Sequence, residues 1–85
     1  MEQTYVHRNH GTCSSKVTIV YDGDIVKNVS FEGGCHGNTQ GVAALCKGRN
    51  IDELIGLLRH IDCRGRGTSC PDQLAIALEE IKAGK

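Results

Sequence analysis

The chain has 85 residues, no formal net charge, one Phe, two Tyr and no Trp. That length sets a single domain, residues 1–85, with a modest apolar core. The balanced charge argues against a nucleic-acid partner, which the small Arg64 and Arg66 pair does not reverse, and no run is apolar and long enough for a membrane span or a signal peptide.

The first half reads as β. Residues around Thr4 to Arg8 predict a strand. In "SSKVTIVYDGDIVKNVSFEGG", Val17, Ile19 and Tyr21 share one face and Thr18 and Val20 the other. "YDGD" predicts a turn, with Gly23 free to take positive φ. Beyond it, Ile25, Val29 and Phe31 share a face that Lys27 interrupts. The second half reads as α. "GNTQGVAALCKG" offers Asn38 or Thr39 as a cap, then Val42, Leu45 and Cys46 at helical spacing and Gly48 as a stop. "NIDELIGLLRHI" starts at Asn50 and stripes Ile51, Leu54, Ile55, Leu58 and Ile61. "CPDQLAIALEEIKAGK" stripes Leu74, Ala77, Leu78 and Ile81, with Asp72 in the first turn and Lys82 near the end, both favourable to the helix dipole. Strands first and helices afterward predict an α+β fold: a small antiparallel sheet of two or three strands, followed by three helices packed on one face.

The five cysteines carry the chemistry. With no leader, the chain reads as cytoplasmic, where thiols stay reduced and clustered cysteines more often mean metal or redox work than structural disulfides. Cys46 lies on an apolar helical stripe and reads as core. Cys13, Cys35, Cys63 and Cys70 lie at element boundaries in Gly-rich surroundings, separated by 21, 27 and 6 residues. Loops at one end of an α+β domain can bring four thiolates together around zinc or an iron–sulfur cluster. Alternatively, the four are reduced, half-buried thiols in tight turns. Cys70 precedes the only proline and occupies the place where a helix takes its cap. The amides of a helix start favour a negatively charged sulfur, which suits either metal ligation or thiol exchange with Cys63. "RGRGTS" also has the makings of an anion nest. His36, next to Cys35, is a candidate ligand or a donor to one. His60 reads as a dipole partner ending its helix. His7, His10, Glu53, Glu79 and Glu80 read as solvated.

"GTSCPDQLAIAL", together with "GTCSSKVTIVYDGDIVKNVSFEGGCHGNTQGV", resembles the TSCPD domain family, whose motif is Thr68–Asp72 here. The likeness runs from about Gly11 to Ala83 and places Cys13, Cys35, Cys63 and Cys70 on the family's cysteines. It implies a small module similar to the C-terminal domain of adenosylcobalamin-dependent ribonucleotide reductases. Such a module would act as an accessory to a larger protein partner, a ribonucleotide reductase, because 85 residues have no room for that enzyme's barrel.

A more distant likeness is to the U-type iron–sulfur cluster scaffolds, in the order of elements, in Cys13, Cys35 and Cys70, and in "KGRNIDEL". Ser15 and Ser69 stand where the scaffolds carry Asp and His, and Cys63 is added. A fourth thiolate in place of labile ligands implies a closed, structural site. Three functions follow: a metal-binding accessory module using Cys13, Cys35, Cys63 and Cys70; a dithiol carrier with Cys70 as nucleophile and Cys63 as resolving thiol; and a cluster-assembly scaffold.

Overall fold

The computed structural model describes residues 1–34, 36–62, 65 and 67–84, residue 36 by its backbone only. Three strands, β1 (Glu2–Arg8), β2 (Ser14–Asp22) and β3 (Ile25–Gly33), form an antiparallel meander in the order β1-β2-β3. The helices α1 (His36–Cys46), α2 (Ile51–Leu58) and α3 (Cys70–Lys82) follow. This is the α+β arrangement that the sequence predicts. Among the described residues, no helix is long and apolar enough to cross a membrane.

The β2–β3 turn is Gly23–Asp24, with Gly23 at φ +58°, as the first position of a primed hairpin turn requires. The hairpin carries two irregularities. Lys16 pairs with Glu32 and Ser14 with Gly33, so Ser15 is an extra residue on β2; Val20 pairs with Asn28 and Tyr21 with Val26, so Lys27 is an extra residue on β3. Each bulge shifts the alternation by one residue. The consequence on β3 corrects the sequence reading: Val26, not Ile25, joins Val29 on the core face, fully buried. Unbroken alternation would have sent Lys27 inward opposite Tyr21. On β2 the bulge gives the inward place to Ser14 instead of Ser15, and Ser14 is buried.

The core joins Val17, Ile19, Val26 and Val29 of the sheet to Cys46, Ile51, Leu54, Leu74, Ala77 and Leu78 of the helices. In α1 the inner stripe is Thr39, Val42, Ala43 and Cys46, at helical spacing. Leu45, expected inside, is 68% exposed, and with the exposed Leu57 it flanks a shallow apolar groove between α1 and α2. The α1–α2 connection is tied to the sheet: Gly48 N–H donates to Val26 O at 2.8 Å, Val26 N–H to Arg49 O at 3.0 Å and Ile51 N–H to Asp24 O at 2.8 Å. Asn50 caps α2, its side chain accepting from the Asp52 and Glu53 amides. In α3, Leu74, Ala75, Ala77 and Leu78 are all fully buried, so this helix is the central spine of the helical layer. It packs on α2 and against β1 and β2, and its first turn therefore arrives beside the start of β2.

Candidate functional site

The start of α3 differs from the sequence reading by one residue. Ser69, not Cys70, is the cap: its backbone is extended and its hydroxyl accepts the Asp72 amide at 3.1 Å. Cys70 is the first helical residue, and Pro71 follows where no intrahelical donor is needed. Cys70 is therefore free of capping duty. Its sulfur lies 2.9 Å from Ser14 Oγ, across 56 positions of sequence, and both residues are buried.

Ser14 is held from several sides. Asn9 Nδ2 donates to its hydroxyl at 2.8 Å, and the Thr12 hydroxyl donates to its carbonyl at 2.9 Å. Asn9 is buried, with its amide N–H bound to Ser15 O, and its buried Oδ1 has no partner among the described residues. From β3 comes the double-glycine exit Gly33–Gly34, with φ of +78° and +82°. A Cβ on Gly34 would sit 3.1 Å from Ser14 Cβ, 3.2 Å from Ser14 N and 3.4 Å from the Cys13 sulfur. Only a residue without a side chain lets β3 pass this close to Cys13 and Ser14.

Cys70 thus reaches Ser14 from the head of α3, and Cys13 is the residue before Ser14 in the chain. Cys13 is exposed and Cys70 is buried. Cys35 and Cys63 lie outside the described residues, as does the His36 side chain. Among the described residues, no group of three or more His, Cys, Asp or Glu side chains is placed to hold a metal ion. Cys46 is elsewhere, in the core as the sequence predicts, and burial pushes its thiol up to about 11, Arg49 opposing slightly.

The loop before α3 is organised by two carboxylates. The Asp62 carboxylate accepts the Gly65 amide at 2.6 Å and the Gly67 amide at 2.5 Å. The two glycine amides that the anion-nest reading offered to a ligand thus already hold the chain's own anion. Asp72 is almost fully buried, and accepts the Thr68 hydroxyl at 2.6 Å, the Arg59 guanidinium at 2.9 Å and the His60 amide at 2.5 Å. Burial would push its carboxyl up. The Thr68 hydroxyl, the His60 amide and the Arg59 guanidinium outweigh burial and hold it below its usual range. His60 does not end a helix: α2 stops at Leu58 with Arg59 as its C-cap, and His60 sits at φ +72°, which turns its amide toward Asp72. That left-handed backbone costs about 1 kcal/mol in a non-glycine residue, which the hydrogen bond to a buried carboxylate offsets.

Three polar residues expected in solvent are structural instead. His7 is buried, with Nδ1 at 2.9 Å from Glu80 Oε1 and Nε2 donating to Gln73 Oε1 at 3.0 Å. Glu80 also accepts the Tyr5 hydroxyl at 2.7 Å, and that hydrogen bond raises the Tyr5 phenol above its usual value. Glu79 accepts from Arg59 at 3.0 Å. Glu53 is exposed and pairs with Arg49, four residues back. His10 is exposed, and its amide donates to Gln73 Oε1 at 3.1 Å. Gln73 in turn donates to the Thr68 hydroxyl at 2.9 Å. One polar chain thus runs from β1 through Gln73 and Thr68 to Asp72 and Arg59, and it fixes the head of α3 against the sheet. Sequence reasoning missed Asn9, Ser14, Thr68 and Gln73. The only signal for Ser14 was its place beside Cys13.

A three-stranded meander backed by three helices, with Cys13 just before β2 and Cys70 at the start of α3, defines a small α+β domain. The model of the TSCPD domain family matches residues 2–82, and the chain belongs to that family. No curated protein and no solved structure matches it.

Proposed function

We propose that this TSCPD domain is a metal-binding accessory module in which Cys13, Cys35, Cys63 and Cys70 bind zinc or an iron–sulfur cluster. The observation that supports this is the approach of Cys70 to Ser14 beside Cys13, in a cradle that a Cβ on Gly34 would fill. Of the four proposed ligands the structure describes Cys13 and Cys70, thiols of the kind that bind zinc and iron as thiolates, and Cys70 lies next to a hydroxyl able to hydrogen-bond to sulfur. The metal would join loops from both halves of a domain too small to rely on its core alone. The likeness to the C-terminal domain of adenosylcobalamin-dependent ribonucleotide reductases supports a larger reductase as the docking partner.

Anaerobic purification, elemental analysis and an absorption spectrum test the reading. One zinc per chain, or iron with sulfide and visible absorption, is the expected result. Cys70→Ser then loses the metal and several kcal/mol of stability. A metal-free chain with a readily reducible Cys63–Cys70 disulfide overturns the reading in favour of the dithiol carrier.

A further inference from the structure

We propose that the free edge of β1 pairs antiparallel with β1 of a second copy of this chain, about a two-fold axis at Tyr5, so that two sheets become one. The cysteines and any metal take no part in this contact.

The two outer strands of the sheet are finished differently. β3 is guarded along its start: Val26 exchanges backbone hydrogen bonds with Gly48 and Arg49, Ile25 bridges to Asn50, and Lys27 forms a bulge. Among the described residues β1 pairs with β2 alone, residue for residue from Glu2 to Arg8, and it contains no bulge, proline or lysine. Such an edge turns alternate N–H and C=O groups outward and is the form that accepts another strand. Thr4, Tyr5 and Val6 at its centre favour strands, and Val6 is 55% exposed.

The charges choose the occupant. Tyr5 and His7 bond to Glu80 and Gln73 of α3, so Glu2, Thr4, Val6 and Arg8 lie on the opposite face of the sheet, all four exposed. Within the chain, Glu2 and Arg8 each stand opposite their own sign: Glu2 is in register with Asp22 and Arg8 with Lys16, an arrangement that destabilises a sheet. Lys16 already holds Glu32 at 3.1 Å. Neither Glu2 nor Arg8 has an ion-pair partner among the described residues.

A second β1 supplies the missing signs. In an antiparallel pair, opposed residues are either both hydrogen-bonded or both not, so a symmetric pair of identical strands has its axis on a residue. Only an axis at Tyr5 keeps the whole of Glu2–Arg8 paired. That register sets Glu2 against Arg8 of the second copy at both ends at once. It also sets Thr4 against Val6 on the same face and Tyr5 against Tyr5 on the other, pairs of the β-branched and aromatic kind that stabilise sheets. The chain has no formal net charge, so two copies approach without long-range repulsion.

Sedimentation velocity of the full chain, from micromolar to millimolar concentration and with reductant present so that no disulfide joins copies, is the test. A concentration-dependent dimer is expected. Arg8→Glu sets like charges together at both ends of the pair and is expected to weaken dimerisation about tenfold at low salt. Glu2→Arg does the same, and the double variant restores the dimer. Inside the chain each reversal replaces a like-charge pair with β2 by an opposite one, so the dilute variants unfold at no lower temperature than the parent, which separates lost pairing from lost fold. In a mixture of isotope-labelled and unlabelled parent chain, filtered NMR contacts between the Thr4 and Val6 methyl groups of different copies fix the register. A monomer throughout the range overturns the proposal, as does a dimer that the single reversals leave unchanged. A dimer that Leu57→Ser disrupts, with no Thr4–Val6 contact between copies, overturns it in favour of the α1–α2 groove.

Discussion

Each residue of the Thr68–Asp72 motif has a separate physical task. Thr68 joins the Gln73 amide to the Asp72 carboxylate, Ser69 caps the helix, and Pro71 occupies a position with no intrahelical donor to lose. Asp72 gathers Arg59 and His60. Cys70 neither caps the helix nor joins the Asp72 network, and its buried sulfur meets Ser14 Oγ across the domain. Gly34 is the other sensitive position. An alanine there must hold φ +82° and meet Ser14 backbone at 3.2 Å, so Gly34→Ala is expected to cost about 2 kcal/mol. Gly37 is the control, since it lies in α1 with nothing within 4 Å of a added Cβ. Gly37→Ala should stabilise by about 0.5 kcal/mol, and urea midpoints of the two variants should move in opposite directions.

At the level of elements, α3 depends on its cap. Ser69→Ala leaves the Asp72 amide without its acceptor and is expected to cost about 1 kcal/mol in chemical denaturation, since the rest of the helix is held by burial. The order and type of the elements were legible in the sequence because period and punctuation agreed: Gly23 in the turn, Asn50 before α2, Gly48 after α1. The departures have identifiable causes. Period-2 counting puts Ile25 inward because it cannot see an extra residue, and Lys27 is that residue. A proline favours the first helical position, which would make Cys70 the cap, yet Pro71 is second here. The helical spacing of Leu45 from Val42 points it inward, but the stripe through Thr39 and Ala43 lies to one side of it. For the site, Cys13 and Cys70 were legible as cysteines in glycine-rich boundaries. Ser14 and the His7–Gln73 contact were not, because each depends on a partner tens of residues away, and Asn9 was not, because it acts only through Ser14 once the bulge turns that residue inward.

For the whole molecule, the polar chain from β1 to Arg59 makes stability depend on acid. The Asp72 carboxyl is held below its unfolded value, so its contribution is complete above the ordinary carboxylate range. It is lost as pH falls through about 4 toward the lower folded value. Thermal unfolding from neutral pH downward checks this. Asp72→Asn is expected to be about 3 kcal/mol less stable at neutral pH, because Arg59 and the His60 amide lose their anion. The gap between parent and variant should then close as acid protonates the parent.

The two bulges of the hairpin have a joint geometric effect. One extra residue sits on β2 and one on β3, and β2 and β3 are nine residues each. The surplus cancels, so Ser14 and Gly33 leave the sheet level, and the chain segments carrying Cys13 and Gly34 depart side by side. A single unmatched bulge would stagger the two exits by one strand step, about 3.3 Å. That offset equals nearly the whole 3.4 Å between the Cys13 sulfur and the place where a Gly34 Cβ would stand. The alignment of the sulfur-bearing end thus depends on parity: surplus residues in this hairpin must come in pairs, one to a strand.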